Sequence, residues 1–132
     1  TGQMSGNHHR LEFFEKDVID RVENAPQKAL YKGLNDLRAA NRALWSNEKG
    51  APMVRLAADN DKVFACVRTK ECPKHGNNTV IAIMNMSAEP QTVTLDMTNL
   101  DGEYNCICGK TMNVETSQTF ELAPWKYIIL TK

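Results

Sequence analysis

The sequence predicts a mainly β fold: an antiparallel Greek-key β-sandwich preceded by one amphipathic α-helix and an irregular N-terminal segment. Two observations carry this reading. The spacing of apolar residues drops from three and four to two after Pro52. Turn-forming clusters then recur at short intervals through the rest of the chain. At 132 residues the chain is about one domain long, enough for a single core.

The opening segment fits neither pattern. Gly2, Gly6 and a polar cluster precede Leu11, Phe13, Phe14, Val18 and Ile19, which are interleaved with charges. The stretch GNHHR, Gly6 to Arg10, sets two histidines and an arginine just before the phenylalanine pair. His8 and His9 are adjacent, so on an extended segment they point in opposite directions and do not easily share one metal. Glu12, Glu15, Asp17 and Asp20 could supply paired carboxylates. Acid–base chemistry, however, needs two such groups driven apart in pKa by burial or by each other. Interspersed with Lys16 and Arg21, they read instead as a solvated surface.

A helix is predicted from Pro26 to Leu44. Ala29, Leu30, Leu34, Leu37, Ala40, Ala43 and Leu44 trace one apolar stripe. Pro26 suits a first-turn position and Asn24 an upstream cap. Lys28, Lys32, Asp36, Arg38 and Arg42 fall mostly on the other face. Gly33 lowers helix propensity and marks a possible close approach.

Eight short strands are predicted after Pro52: Met53–Ala57, Lys62–Thr69, Thr79–Met86, Gln91–Asp96, Tyr104–Cys108, Met112–Glu115, Thr119–Leu122 and Lys126–Leu130. Alternation is clearest in Val63, Ala65, Val67 and in Val80, Ala82, Met84, Met86. Turn signals separate the strands, among them Asp59-Asn60-Asp61, Ala88-Glu89-Pro90, Asp101-Gly102 and Ala123-Pro124.

Sixteen basic residues balance sixteen acidic ones, which gives no footprint for nucleic acid or an anionic membrane. No apolar run approaches the roughly 20 residues of a membrane span. The cysteines Cys66, Cys72, Cys106 and Cys108 are spaced poorly for a structural zinc site. Small buried residues or reduced thiols fit them best, ahead of a disulfide. A metal site built from Cys72, His75 and the later pair comes last. If Cys106 and Cys108 share a strand, they point to the same face. Tyr31, Trp45, Tyr104 and Tyr127 read as core or interface residues, and Trp125 beside Pro124 as the one exposed platform. No phosphate loop, nucleophile elbow or Walker motif occurs.

In order, the chain carries a TGQ turn, FFEKD, LYKGLNDLRAANRAL, DNDKVFACVR, TVIAIMNMS and LAPWKYIIL. This series is similar to the end of an α-amylase family enzyme, glycoside hydrolase family 13. Leu34, Leu37, Arg38, Asn41 and Leu44, with Asn85-Met86-Ser87, are its most specific parts. Met4 and Arg21 depart from the family's usual Glu and Trp.

The resemblance implies that residues 1–46 are the end of a (β/α)8 catalytic barrel, its loop after strand 8 and its final helix. It implies that residues 47–132 are the C-terminal β-sandwich, called domain C. Gln3, Asn7, His8 and Arg10 then become possible cleft-loop residues. The catalytic carboxylates of a retaining mechanism would lie upstream of Thr1. No catalytic or metal-binding residue is therefore expected in this chain, and no cofactor, although the parent enzyme could use calcium. The expected partners are the rest of the barrel in the same chain and, through the parent enzyme, an α-glucan such as starch or maltodextrin. A periplasmic or extracellular setting is preferred to a cytoplasmic one. The competing reading is a stand-alone β-sandwich that binds carbohydrate or another protein.

Overall fold

A computed structural model describes residues 4, 6, 7, 9–19, 25–71, 73 and 76–132. The chain divides into two compact units, Thr1–Ala40 and Asn41–Lys132.

The described residues of the first unit include the helix α1, Ala25–Ala40. Pro26 sits in its first turn, where a missing N–H costs nothing. Arg38 in the last turn complements the helix dipole. Lys32 Nζ donates to Asp36 Oδ2 at 2.6 Å one turn on, an exposed pair worth a few tenths of a kcal/mol. Leu30 and Leu34, on the predicted apolar stripe, are exposed at 41% and 37%.

The helix stops four residues earlier than the stripe predicts. Asn41 is extended (φ −112°, ψ 110°), and residues Arg42–Leu44 form a short 3₁₀ turn instead. The cause is side-chain competition. Asn41 Oδ1 accepts a hydrogen bond from Asn78 Nδ2 at 3.0 Å, and Asn78 Oδ1 accepts the Ala43 N–H at 2.9 Å. Asn uses such bonds readily in place of a helical ladder.

The second unit is antiparallel β. Its strands are β1 (Val54–Arg55), β2 (Val63–Lys70), β3 (Asn78–Asn85), β4 (Gln91–Asp96), β5 (Gly102–Cys106), β6 (Thr111–Val114), β7 (Ser117–Leu122) and β8 (Tyr127–Thr131). All eight predicted strands are present. β1 is shorter than expected, and β5 ends at Cys106, so Cys106 and Cys108 do not share a strand. Six strands form one sheet in the order β1-β2-β3-β8-β5-β6, and β4 pairs with β7 in a second. The chain crosses between sheets after β3, β4, β6 and β7, a path that fits Greek-key connections.

The register sorts side chains by face. Ala65 pairs with Ile83 and Val67 with Ile81; Ile83 and Ile81 pair in turn with Ile128 and Leu130 on β8. Those residues meet Val93 and Leu95 of β4 and Phe120 and Leu122 of β7 in one buried cluster, completed by Met97, Tyr104 and Val114. The two sheets therefore share a single core, each fully buried Leu or Ile contributing roughly 1.5–3 kcal/mol.

Candidate functional site

Of the four cleft-loop candidates, Gln3 and His8 lie outside the described residues, as do Asp20, Cys72 and His75. Asn7 and Arg10 are described. Asn7 Oδ1 accepts the His9 N–H at 3.4 Å, and Arg10 is exposed. The loop that follows is organised by a carboxylate. Asp17 accepts the Val18 N–H at 2.8 Å, the Glu12 N–H at 3.0 Å and the His9 Nε2 contact at 3.3 Å. The Glu12 amide, first among these donors, holds the Asp17 carboxyl below its ordinary value. Asp17 is thus a loop clamp. It leaves Phe13 and Phe14 exposed at 88% and 90%, ring edge to face at 4.7 Å.

A prediction follows for pH. The folded-state pKa is lowered, so the clamp is complete above about pH 4 and is lost as pH falls through the folded value. Amide exchange at Glu12 and Val18 should accelerate below that pH, and Asp17→Asn should abolish the dependence.

In the second unit the polar residues are mostly joints. Arg68 donates from Nε to the Ala51 carbonyl at 2.7 Å and from Nη2 to the Trp45 carbonyl at 3.1 Å. Lys70 Nζ reaches the Glu48 carbonyl at 2.8 Å. Together with the Asn41–Asn78 pair, these bonds fasten residues 41–51 to the ends of β2 and β3. An open depression of about 600 Å³ is lined by residues 55–61. Two of its polar side chains are committed: Asp59 accepts the Thr94 N–H at 2.8 Å, and Asn60 Nδ2 donates to Gln91 Oε1 and the Thr92 carbonyl.

Trp125 is 64% exposed, as the sequence reading expects of it, and takes a left-handed φ of 57°. Its N–H donates to the Ser87 carbonyl at 3.1 Å. Tyr104 is buried in the core, while Tyr127 is exposed at 41%. Among the described residues no group of three or more His, Cys, Asp or Glu side chains could hold a metal. No described helix is long and apolar enough to cross a membrane.

The residues that the sequence reading passed over are Arg68 and Asn78, whose partners are distant in sequence, and Gly50, whose backbone closes on Trp45 five residues before it. Gly109 was missed too, although a Gly beside the predicted end of a strand is a readable hairpin signal.

No family model and no curated protein sequence matches the chain. Solved structures do. Over 99% of this chain, the noncanonic maltogenic α-amylase AmyB from Thermotoga neapolitana superposes with a TM-score of 0.76 at 17% identity, through 31% of its own length. The fold is similar to part of an α-amylase. AmyP in complex with maltose gives a TM-score of 0.62 at 22% identity, over 86% of this chain and 23% of that one. An AmyP variant in complex with maltotriose gives 0.60 at 22% identity with the same coverage. The chain spans less than a third of each of these structures, and at such identities the likeness is one of fold.

Proposed function

We propose that this chain is the terminal part of an α-amylase-like glycoside hydrolase acting on α-glucans: the last barrel loop and helix, residues 1–46, followed by a C-terminal sandwich, residues 47–132. In this reading its own role is structural. The retaining carboxylates, and any calcium the parent enzyme uses, belong to residues outside it.

The observation that carries the proposal is the extent of the AmyB match. It runs through 99% of the chain, helix and sandwich alike, within 31% of that enzyme. A free-standing sandwich has no reason to carry the helical segment. Exposed apolar side chains in the first unit support the same reading, because Phe13, Phe14, Leu30 and Leu34 lack burial of their own. Apolar patches of this kind mark surfaces that another body covers, here the rest of the barrel. Asn7 and Arg10, with Gln3 and His8, are proposed to approach the cleft of that barrel without reacting in it.

Two measurements test the proposal. The reading frame that encodes the chain should contain several hundred further residues, and the whole product should release reducing sugar from starch or maltodextrin. The 132-residue chain alone should release none. A reading frame with no catalytic domain would establish the stand-alone module instead. Turnover by the chain alone, lost on Glu12→Ala or Glu15→Ala, would overturn the structural role.

A further inference from the structure

The hairpin between β5 and β6 reads Cys106-Ile107-Cys108-Gly109-Lys110. Its frame is fixed by backbone bonds. Cys106 N–H donates to the Lys110 carbonyl at 2.8 Å, Gly109 N–H to the Cys106 carbonyl at 2.9 Å, and Ile107 N–H to the Ile129 carbonyl on β8 at 3.1 Å. Gly109 occupies the left-handed region (φ 83°), as the last residue of a three-residue hairpin loop requires. This turn folds two Cα steps of about 3.8 Å back on themselves. Cys106 and Cys108 thereby sit side by side at the hairpin tip. The Cys108 N–H points at Cys106 Sγ, 3.3 Å away. Cys106 is half-buried against the core, and Cys108 is exposed; neither forms a disulfide in this structure.

We propose that Cys106 and Cys108 form a dithiol modification site that takes a low-molecular-weight disulfide of the glutathione class as oxidant and closes into a disulfide within the hairpin. This inference is independent of the amylase reading. The two sulfurs have unequal roles. A hydrogen bond from Cys106, aided by the Lys110 backbone, lowers the Cys108 pKa, whereas burial and then the Cys108 thiol raise that of Cys106. Cys108 is therefore the exposed attacking thiolate and Cys106 the resolving thiol. Cys66 differs: it is half-buried on β2, and burial pushes its thiol up.

The chemistry balances. The Cys108 thiolate attacks one sulfur of RSSR, forming Cys108–S–SR and expelling RS⁻. The Cys106 thiolate then attacks the Cys108 sulfur; the Cys106–Cys108 bond forms, the bond to SR breaks and the second RS⁻ leaves. Two cysteine protons end on the two RS⁻ groups. The cysteines lose two electrons and RSSR gains them.

The test is to equilibrate the whole chain with mixtures of oxidised and reduced glutathione near neutral pH, quench, alkylate and map the peptide that contains both cysteines. The expected product is that peptide short of two hydrogens and free of glutathione. Cys106→Ser should trap one glutathione on Cys108. Cys108→Ser should slow reaction of the peptide by about tenfold, because the remaining thiol is shielded and less ionised. Circular dichroism confirms that each variant keeps its β signal. The proposal is overturned by two glutathiones on the wild-type peptide, by a bond from either cysteine to Cys66 or Cys72, or by no reaction in excess oxidised glutathione.

Discussion

Asn85→Asp is expected to destabilise the sandwich by about 3–5 kcal/mol, a large share of the stability of a domain this size. The side chain is only 2% exposed, and every polar atom on it is used. Nδ2 donates to the carbonyls of Glu89 at 2.7 Å, Ala123 at 3.0 Å and Leu122 at 3.3 Å. Oδ1 accepts from the Ser87 N–H at 2.9 Å and the Ser87 hydroxyl at 2.8 Å. The Asn85 N–H also donates to the Lys126 carbonyl at 2.9 Å. One residue thus ties the turn after β3 to the turn between β7 and β8. A carboxylate in its place would keep the acceptor and aim a negative oxygen at three carbonyls.

The sign of the pH effect follows. Burial among carbonyls favours the neutral acid, so the folded-state pKa of the introduced group is raised above roughly 3.9. The deficit against wild type should be smallest below about pH 4 and grow as pH rises through the folded value. Urea unfolding of both proteins at pH 3.5 and pH 7 measures it. Asn85→Ala, which leaves the carbonyls unpaired but uncharged, should cost less, about 2–3 kcal/mol. A loss under about 1 kcal/mol for the aspartate variant at pH 7 would show that water replaces the lost donor, and that Asn85 is no hub.

Asn85 also shows how far the sequence could be read. Alternation in Val63–Val67 and Val80–Met84 located the strands because a half-buried sheet imposes a period of two. Turn chemistry located their ends to within a few residues. The motifs Asn85-Met86-Ser87 and Leu122-Ala123-Pro124-Trp125 were legible as separate features. Their union was not, because the bonds that join them span 37 and 38 residues. The same holds for the helix end. Periodicity continues through Leu44, so the stripe predicts one helix, while the stop at Ala40 depends on Asn78, which lies 37 positions from Asn41. Local pattern fixes which elements form, and long-range polar bonds fix where they stop. The candidate site was less legible still. Its loop is clamped by Asp17, an acid indistinguishable in sequence from its exposed neighbours Glu12 and Glu15.

Gly50→Ala is expected to cost about 3–4 kcal/mol, while the same change at Gly33 should stabilise α1 by about 1 kcal/mol. The contrast is one of space. Gly50 has φ −96° and ψ −161°, a conformation any residue adopts, so backbone freedom is not the issue. A Cβ there would lie 1.9 Å from the Trp45 carbonyl oxygen and 2.6 Å from its carbon, whereas a Cβ on Gly33 would meet nothing within 4 Å. The obstructing atoms are backbone and cannot rotate away. Arg68 holds them from two sides, through the Trp45 and Ala51 carbonyls. Ala51 N–H is itself held by the Ala43 carbonyl at 3.2 Å. A methyl group at position 50 must therefore push residues 45–51 outward and break at least one charge-assisted bond from Arg68. Gly50→Ala should be strongly non-additive with Arg68→Ala, since that variant has already released the segment. Denaturant unfolding of Gly50→Ala, Arg68→Ala and the double variant measures the coupling. Additive losses would show that the close approach of Gly50 to Trp45 does not depend on Arg68, and a loss below about 1 kcal/mol for Gly50→Ala would show that the segment yields freely.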